Sequence, residues 1–266
     1  MEFGSFMEFP PVASGSDSAA FDQALAEVEE AERVGLDAVW LAELHGAPER
    51  SVLSSPMMMA AAIASRTKTL KIGIAVQVLP LSHPLRLAEE AATIDQISHG
   101  RLIYGIGRSG VVRTYEDYGL AYSESRERFA ETLDILKQAW TEPRFSHTGK
   151  YYSFDNVAVT PKPYQKPWPE LRMAAATPET FPQIGKLGHL RIFAAGELLV
   201  AREVGARFLQ IIPIGEERFQ ARMFAKKIAG AARIGVEISR RDLGFEFAKA
   251  IGAAAEKWGE VHLGKS

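Results

Sequence analysis

Apolar runs of strand length alternate along this chain with stretches whose apolar residues recur at three and four. That alternation is the mark of successive βα units, in which parallel strands are covered by helices. The strand-like runs fall at 3–9, 37–43, 70–78, 101–107, 171–176, 190–194 and 207–212, with a shorter one at 235–239. Between them, Phe21, Ala24, Leu25, Val28 and Ala31 stripe one helix that Gly35 ends. Ser55-Pro56 and His83-Pro84 open two more, because proline fits the first helical position. Phe129, Leu133, Leu136 and Trp140 mark another, and further helices are expected over 178–187 and 242–258. The prolines and aromatics of 143–169 break the rhythm and read as a hairpin insertion. With 266 residues and no linker or repeat, the expectation is one domain over 1–266. The expected fold class is α/β, a (β/α)8 TIM barrel whose last strands either complete it, with 235–239 as the eighth, or are shortened or irregular.

Composition narrows the partners. Thirty-one Lys+Arg against 33 Asp+Glu give a formal net charge of -2, so there is no basic excess to neutralise a nucleic-acid backbone. The chain has no cysteine, which removes disulfides, thiolate metal sites and a thiol nucleophile. The six histidines lack the spacing of a zinc helix, and no metal site is expected. No apolar run reaches the roughly 20 residues of a membrane span. The first residues lack the basic stretch of a secretory leader, so the expectation is a cytoplasmic protein.

Gly105, Gly107 and Gly110 make a G-x-G-x-x-G after a predicted strand. A dinucleotide fingerprint would open directly into a helix and meet an acidic residue at the next strand end. Here a polar loop follows, and close packing of a strand end explains the glycines better. Arg108 sits inside that loop, where a guanidinium at the C-terminal mouth of a barrel faces an anionic group of a ligand. Glu43 ends the second strand and His45 lies just past it on the same rim, which makes them candidate catalytic residues, although a polar loop role is equally open for His45. His83, before Pro84, reads as a structural turn residue, and Met57, Met58 and Met59 as packing or dimer surface. Thr177 and Thr180 bracket Pro178 at an expected helix start, where they either cap the helix or hold an anion.

Five stretches of the chain together resemble the bacterial-luciferase-like flavin monooxygenases. They are MEFGSFMEF at the start, GLDAVWLAELH at 35–45, the long block from KIGIAVQV to GIGRSG at 71–110, the SESRERFAETLDILKQAW helix, and VTPKPYQKPWPELRMAAATPET at 159–180. The resemblance covers about three-quarters of the chain. It implies reduced FMN at the barrel mouth, supplied by a flavin reductase, and its reaction with O2 to oxygenate a small organic substrate. It also implies a non-proline cis peptide at Ala75-Val76 beneath the flavin, Arg108 as a phosphate ligand, and Ser109 opening a loop along the ring. Thr177 and Thr180 would lie in the segment that gives hydroxyls to the phosphate. A homodimer through the second and third helices is a further implication.

Two departures modify that picture. Leu44 stands where luciferases proper carry a first histidine, leaving His45 alone, and Gly107 stands where they have a reactive cysteine. Beyond Phe193 the family's last units find no match. Two alternatives therefore accompany the monooxygenase reading: a shortened flavin-binding relative without turnover, and an oxidoreductase using the deazaflavin coenzyme F420.

Overall fold

The computed structural model describes residues 4–12 and 15–175, and beyond them the strand segments 191–194, 208–215, 218–224 and 234–239. In chain order the elements are β1 (Gly4–Met7), α1 (Asp17–Arg33), β2 (Ala38–Leu41), α2 (Pro56–Arg66), β3 (Lys71–Ile74), β4 (Gln77–Val78), α3 (Pro84–Ile97), β5 (Leu102–Gly107), α4 (Val112–Asp117) and α5 (Ser125–Thr141). The strands β6 (Phe145–Thr148), β7 (Ser153–Val157), β8 (Glu170–Ala175), β9 (Arg191–Ala194), β10 (Phe208–Gly215), β11 (Arg218–Phe224) and β12 (Ile234–Ser239) follow.

Strands β1, β2, β3, β5, β8 and β9 pair in that order, every pair parallel, with β4 beside β5. This is the parallel α/β wall that the alternation predicts, among the described residues an open run of six strands with β4 as a seventh beside it. Val39, Leu41, Ile72, Ile74, Leu102, Tyr104 and Ile106 are buried and share one core with the helices. Small residues let the helices approach closely: Ala60, Ala88, Ala91, Ala92 and Ala139 are all buried. Trp140 fills the space between α5 and α3, and its indole Nε1 donates to the Ala88 carbonyl at 3.0 Å. On the inner face Trp40 lies across β3 so closely that a Cβ at Gly73 would meet its ring at 1.9 Å. The guanidinium of Arg172 stacks 4.7 Å from the centre of the same ring, a contact that suits a desolvated arginine.

The hairpin read in 143–169 is the antiparallel pair β6 and β7. The proline-rich stretch after it folds along the bottom of the barrel, where buried Asp95 accepts from the Gln165 amide (2.8 Å) and its Nε2 (2.7 Å). Burial pushes the Asp95 carboxyl above its usual range against those donors. The loop after β5, expected to be irregular, contains the short helix α4.

Two expectations about the last strands are corrected. Residues 207–212 and 235–239 do not extend the parallel wall, because β10, β11 and β12 form a separate antiparallel sheet. Only two residues separate β10 from β11, and a parallel crossover needs a dozen or more. The expected helices at 178–187 and 242–258 lie outside the described residues. No helix among the described residues is long and apolar enough to cross a membrane.

The bottom loops carry charge that the fold uses. Glu32 Oε1 accepts from the amides of Lys68 (2.9 Å), Thr69 (2.7 Å) and Leu70 (3.0 Å) and from the Thr69 hydroxyl (3.0 Å). Burial opposes the charge, but these donors outweigh it and hold the carboxyl at about 2, against an ordinary 4.5. A pKa lowered by folding adds stability that is full above pH 4.5 and is lost as pH falls through the folded value. Discounted for partial solvent screening, the contribution is about 1–2 kcal/mol. Urea unfolding is expected to show Glu32→Gln weaker than the parent by that amount at neutral pH, and the gap should close as pH approaches 2.

Candidate active site

Parallel strands deliver their C-terminal ends to one rim, and the residues that follow β2, β3 and β5 meet there. β3 ends at Ile74, the Ala75-Val76 peptide is cis, and β4 resumes pairing beside β5 with Val78 opposite Gly107. Val76 leans against β5 so closely that a Cβ at Gly107 would meet its Cγ2 at 2.4 Å. Glycine at 107 is thus required by the valine at 76. Gly107→Ala is expected to cost about 1–3 kcal/mol through overpacking. The same change in a Val76→Ala background should cost much less, a coupling that a double-mutant cycle of denaturant unfolding measures.

Glu43 and His45 come off the end of β2 and stand together. His45 Nε2 lies 2.8 Å from Glu43 Oε1, with the side chains 16% and 3% exposed. The other carboxylate oxygen, Oε2, accepts from the Val78 amide (2.9 Å) and from Gln77 Nε2 (2.7 Å). One acid therefore ties the β2 rim to the segment after the cis peptide. Gln77 Oε1 is buried and has no hydrogen-bond partner among the described residues. The far side of His45 meets Tyr118, whose hydroxyl lies 3.1 Å from Nδ1. Burial, and then the nearby Glu43 charge, raise the Tyr118 phenol above its usual range.

Arg108 follows β5. Its Nη1 donates to Tyr122 Oη (3.2 Å) and Ser125 Oγ (3.1 Å), and the guanidinium sits 5.6 Å from the Tyr122 ring centre. The Arg108 carbonyl accepts from the hydroxyl of Tyr115, a phenol that burial pushes up to about 12 against the opposing charge of Arg108. Ser109 has φ 56, an uncommon left-handed conformation for serine. Its hydroxyl accepts from the Val111 amide at 3.2 Å.

Five of the residues predicted for the site, Glu43, His45, Ala75, Val76 and Arg108, are thus brought to one rim with Ser109 beside them. Thr177 and Thr180 lie outside the described residues. Sequence reasoning passed over Gln77, although a lone amide in the apolar run KIGIAVQVLPL is a signal, and it passed over Tyr115, Tyr118 and Tyr122, which have no local signature. His83 packs edge-on against Tyr152 and Phe154, away from this cluster. Among the described residues no group of three or more His, Cys, Asp or Glu is placed to hold a metal.

The chain belongs to the luciferase-like monooxygenase family, which it matches over residues 1–254. It is 30% identical over 183 residues to the oxygenase component of the flavin-dependent trigonelline monooxygenase of Acinetobacter baylyi, covering 68% of this chain and 50% of that protein. It is 35% identical over 133 residues to the alkanal monooxygenase alpha chain of the Kryptophanaron alfredi symbiont, covering 50% and 37%. Among solved structures, the monooxygenase RslO1 of Streptomyces bottropensis superposes with TM-score 0.67 at 29% identity, covering 71% of this chain and 59% of that one. The FMN-bound oxygenating constituent of 3,6-diketocamphane monooxygenase from Pseudomonas putida shares the fold, with TM-score 0.64 at 22% identity over 73% and 57%. The chain spans about half the length of the curated relatives it matches.

Proposed function

We propose that this chain, as one domain over 1–266, is a flavin-dependent monooxygenase that uses reduced FMN and O2 to oxygenate a small organic substrate. The observation that carries the reading is the shared rim, where a part-buried carboxylate–imidazole pair, a cis peptide and an arginine converge. These residues fit a flavin mononucleotide. Gln77 Oε1 offers a buried acceptor without a partner, the space beyond Gly110 is open, and only Nη1 of Arg108 is engaged among the described residues. A phosphate would take the remaining guanidinium donors, with Thr177 and Thr180 supplying hydroxyls, and the ring would lie over Ala75-Val76 beside Ser109. When bound, the reduced flavin supplies the electrons that activate oxygen. The chain's own residues hold it in place, keep water from it, and present Glu43 and His45 as the pair that accepts or returns a proton.

The naming of the Acinetobacter relative as an oxygenase component supports a separate reductase as the source of reduced FMN. The experiment is oxygen uptake with reduced FMN in the presence of alkanals, trigonelline or limonene, compounds taken from the names of relatives. Uptake that rises with one of them supports turnover. The antiparallel sheet in place of the last barrel strands favours a second reading, a flavin-binding protein without turnover. Tight FMN binding with uptake indifferent to every compound would establish that one instead.

The proposal includes a homodimer formed through α2 and α3 in a cytoplasmic protein. Met57 and Met59 are buried, but Met58 is 72% exposed and Ile97 on α3 is 45% exposed. An isologous contact through such small-residue faces persists at micromolar concentration if it buries a standard interface. Sedimentation equilibrium is expected to give twice the chain mass of 29.2 kDa, and a single-chain mass would refute the dimer.

A further inference from the structure

The polar chain at the rim has a direction that is fixed from one end. Glu43 Oε2 receives two donors, the Val78 amide and Gln77 Nε2, and Oε1 faces His45 Nε2 at 2.8 Å. A carboxylate only accepts, so Nε2 carries the hydrogen, and the neutral imidazole then has Nδ1 as its acceptor. The atom facing Nδ1 at 3.1 Å is Tyr118 Oη, which donates to this neutral tautomer, whereas an imidazolium would donate from both nitrogens and make the hydroxyl the acceptor. The tyrosine ring also meets the imidazole edge-on, with centres 5.2 Å apart and planes at 65°.

We propose that Tyr118 is a positioning residue that caps the basic nitrogen of His45. Its hydroxyl occupies the Nδ1 lone pair and its ring holds the imidazole plane, while Glu43 holds the opposite edge. Neither nitrogen is then open to a ligand. A proton from the mouth reaches Nδ1 either through the Tyr118 hydroxyl or after that hydroxyl is displaced. Burial agrees with this order: Tyr118 is 49% exposed, whereas the His45 side chain is only 16% exposed behind it. The backbone of Tyr118 is secured by its own amide, which donates to the Thr114 carbonyl of α4 at 3.1 Å. The hydroxyl is therefore presented from a fixed point, immediately after that short helix. The consequence for turnover rests on the monooxygenase reading, but the hydrogen-bond chain itself does not.

The test uses the full chain without flavin, labelled with 15N in its histidines. The His45 resonances of the parent protein are expected to show the neutral form protonated at Nε2, with Nδ1 displaced by an accepted hydrogen bond. In Tyr118→Phe the tautomer should persist, and Nδ1 should move to the position of an unbonded acceptor. Carbethoxylation of His45, read by peptide mass spectrometry, should rise by about threefold to tenfold, the range given by loss of one hydrogen bond. His83 and His147 serve as references whose unchanged rates report an intact fold. Glu43→Gln should abolish the tautomer preference. A parent protein with His45 protonated at Nδ1 overturns the proposal without any variant, as does a Tyr118→Phe protein whose Nδ1 signal and carbethoxylation rate match the parent. Neither result bears on whether FMN binds, which a flavin titration decides separately.

Discussion

Arg108→Ala is expected to weaken FMN binding by about 1.5–3 kcal/mol, on the order of tenfold to more than a hundredfold in affinity. In the proposed site the guanidinium is the cation that meets the phosphate, and it is oriented through Nη1 by Tyr122 and Ser125. Loss of it removes charge-assisted donors from the phosphate and leaves the barrel wall untouched. Lysine should restore only part of the affinity, because a point charge lacks the planar fork. Riboflavin has no phosphate, so its weaker binding should be nearly indifferent to the substitution. Equal weakening of both ligands, measured by fluorescence titration, would remove Arg108 from the phosphate site.

The largest effect on stability is expected at Arg101→Ala. This one side chain knits α2, β3 and the end of α3 together at the bottom of the barrel. Its Nη2 donates to the carbonyls of Ala64 (2.9 Å) and Thr67 (3.0 Å), and its Nη1 to the Leu70 carbonyl and the Thr67 hydroxyl, both at 2.8 Å. Nε donates to the Ser98 carbonyl at 2.8 Å. Burial lowers the guanidinium's pKa, and the Glu32 charge partly restores it. Truncation would leave several helix-end and loop carbonyls without donors, at a cost of about 3–5 kcal/mol. Denaturant unfolding should show that loss, whereas flavin affinity in the folded protein should be unchanged. A cost below about 1 kcal/mol would mean that water replaces the guanidinium freely.

The six strands of the parallel wall and the helices α1, α2, α3 and α5 were legible because burial on a parallel wall leaves a long apolar run, and a helix on its outer face leaves a stripe. The rim was legible for the same reason: once strands are parallel, whatever follows their C-terminal ends shares one face. Pairing direction at the other end of the chain was not. An apolar run such as 207–212 carries no mark of parallel or antiparallel pairing, and the deciding quantity was the length of its connection to β11. In β11 itself, Phe219, Ala221 and Met223 alternate with Arg218, Gln220 and Arg222, a period of two that was open to reading. Within the site, Gln77 and Tyr118 escaped because their partners are 34 and 73 residues away in sequence. Such contacts are created by the fold and leave no local pattern. The close fit of Val76 over Gly107 is of the same kind.

The rim of Glu43, His45, Ala75-Val76 and Arg108 is proposed as a flavin mononucleotide site. Its most direct measurement is a spectral titration of the purified chain with FMN, riboflavin and the deazaflavin coenzyme F420 in parallel, with the mass of any cofactor that co-purifies. The predicted result is stoichiometric uptake of FMN with a perturbed flavin spectrum, and riboflavin weaker by the phosphate's share. Failure of FMN to saturate the chain, or preferential uptake of the deazaflavin, would contradict it.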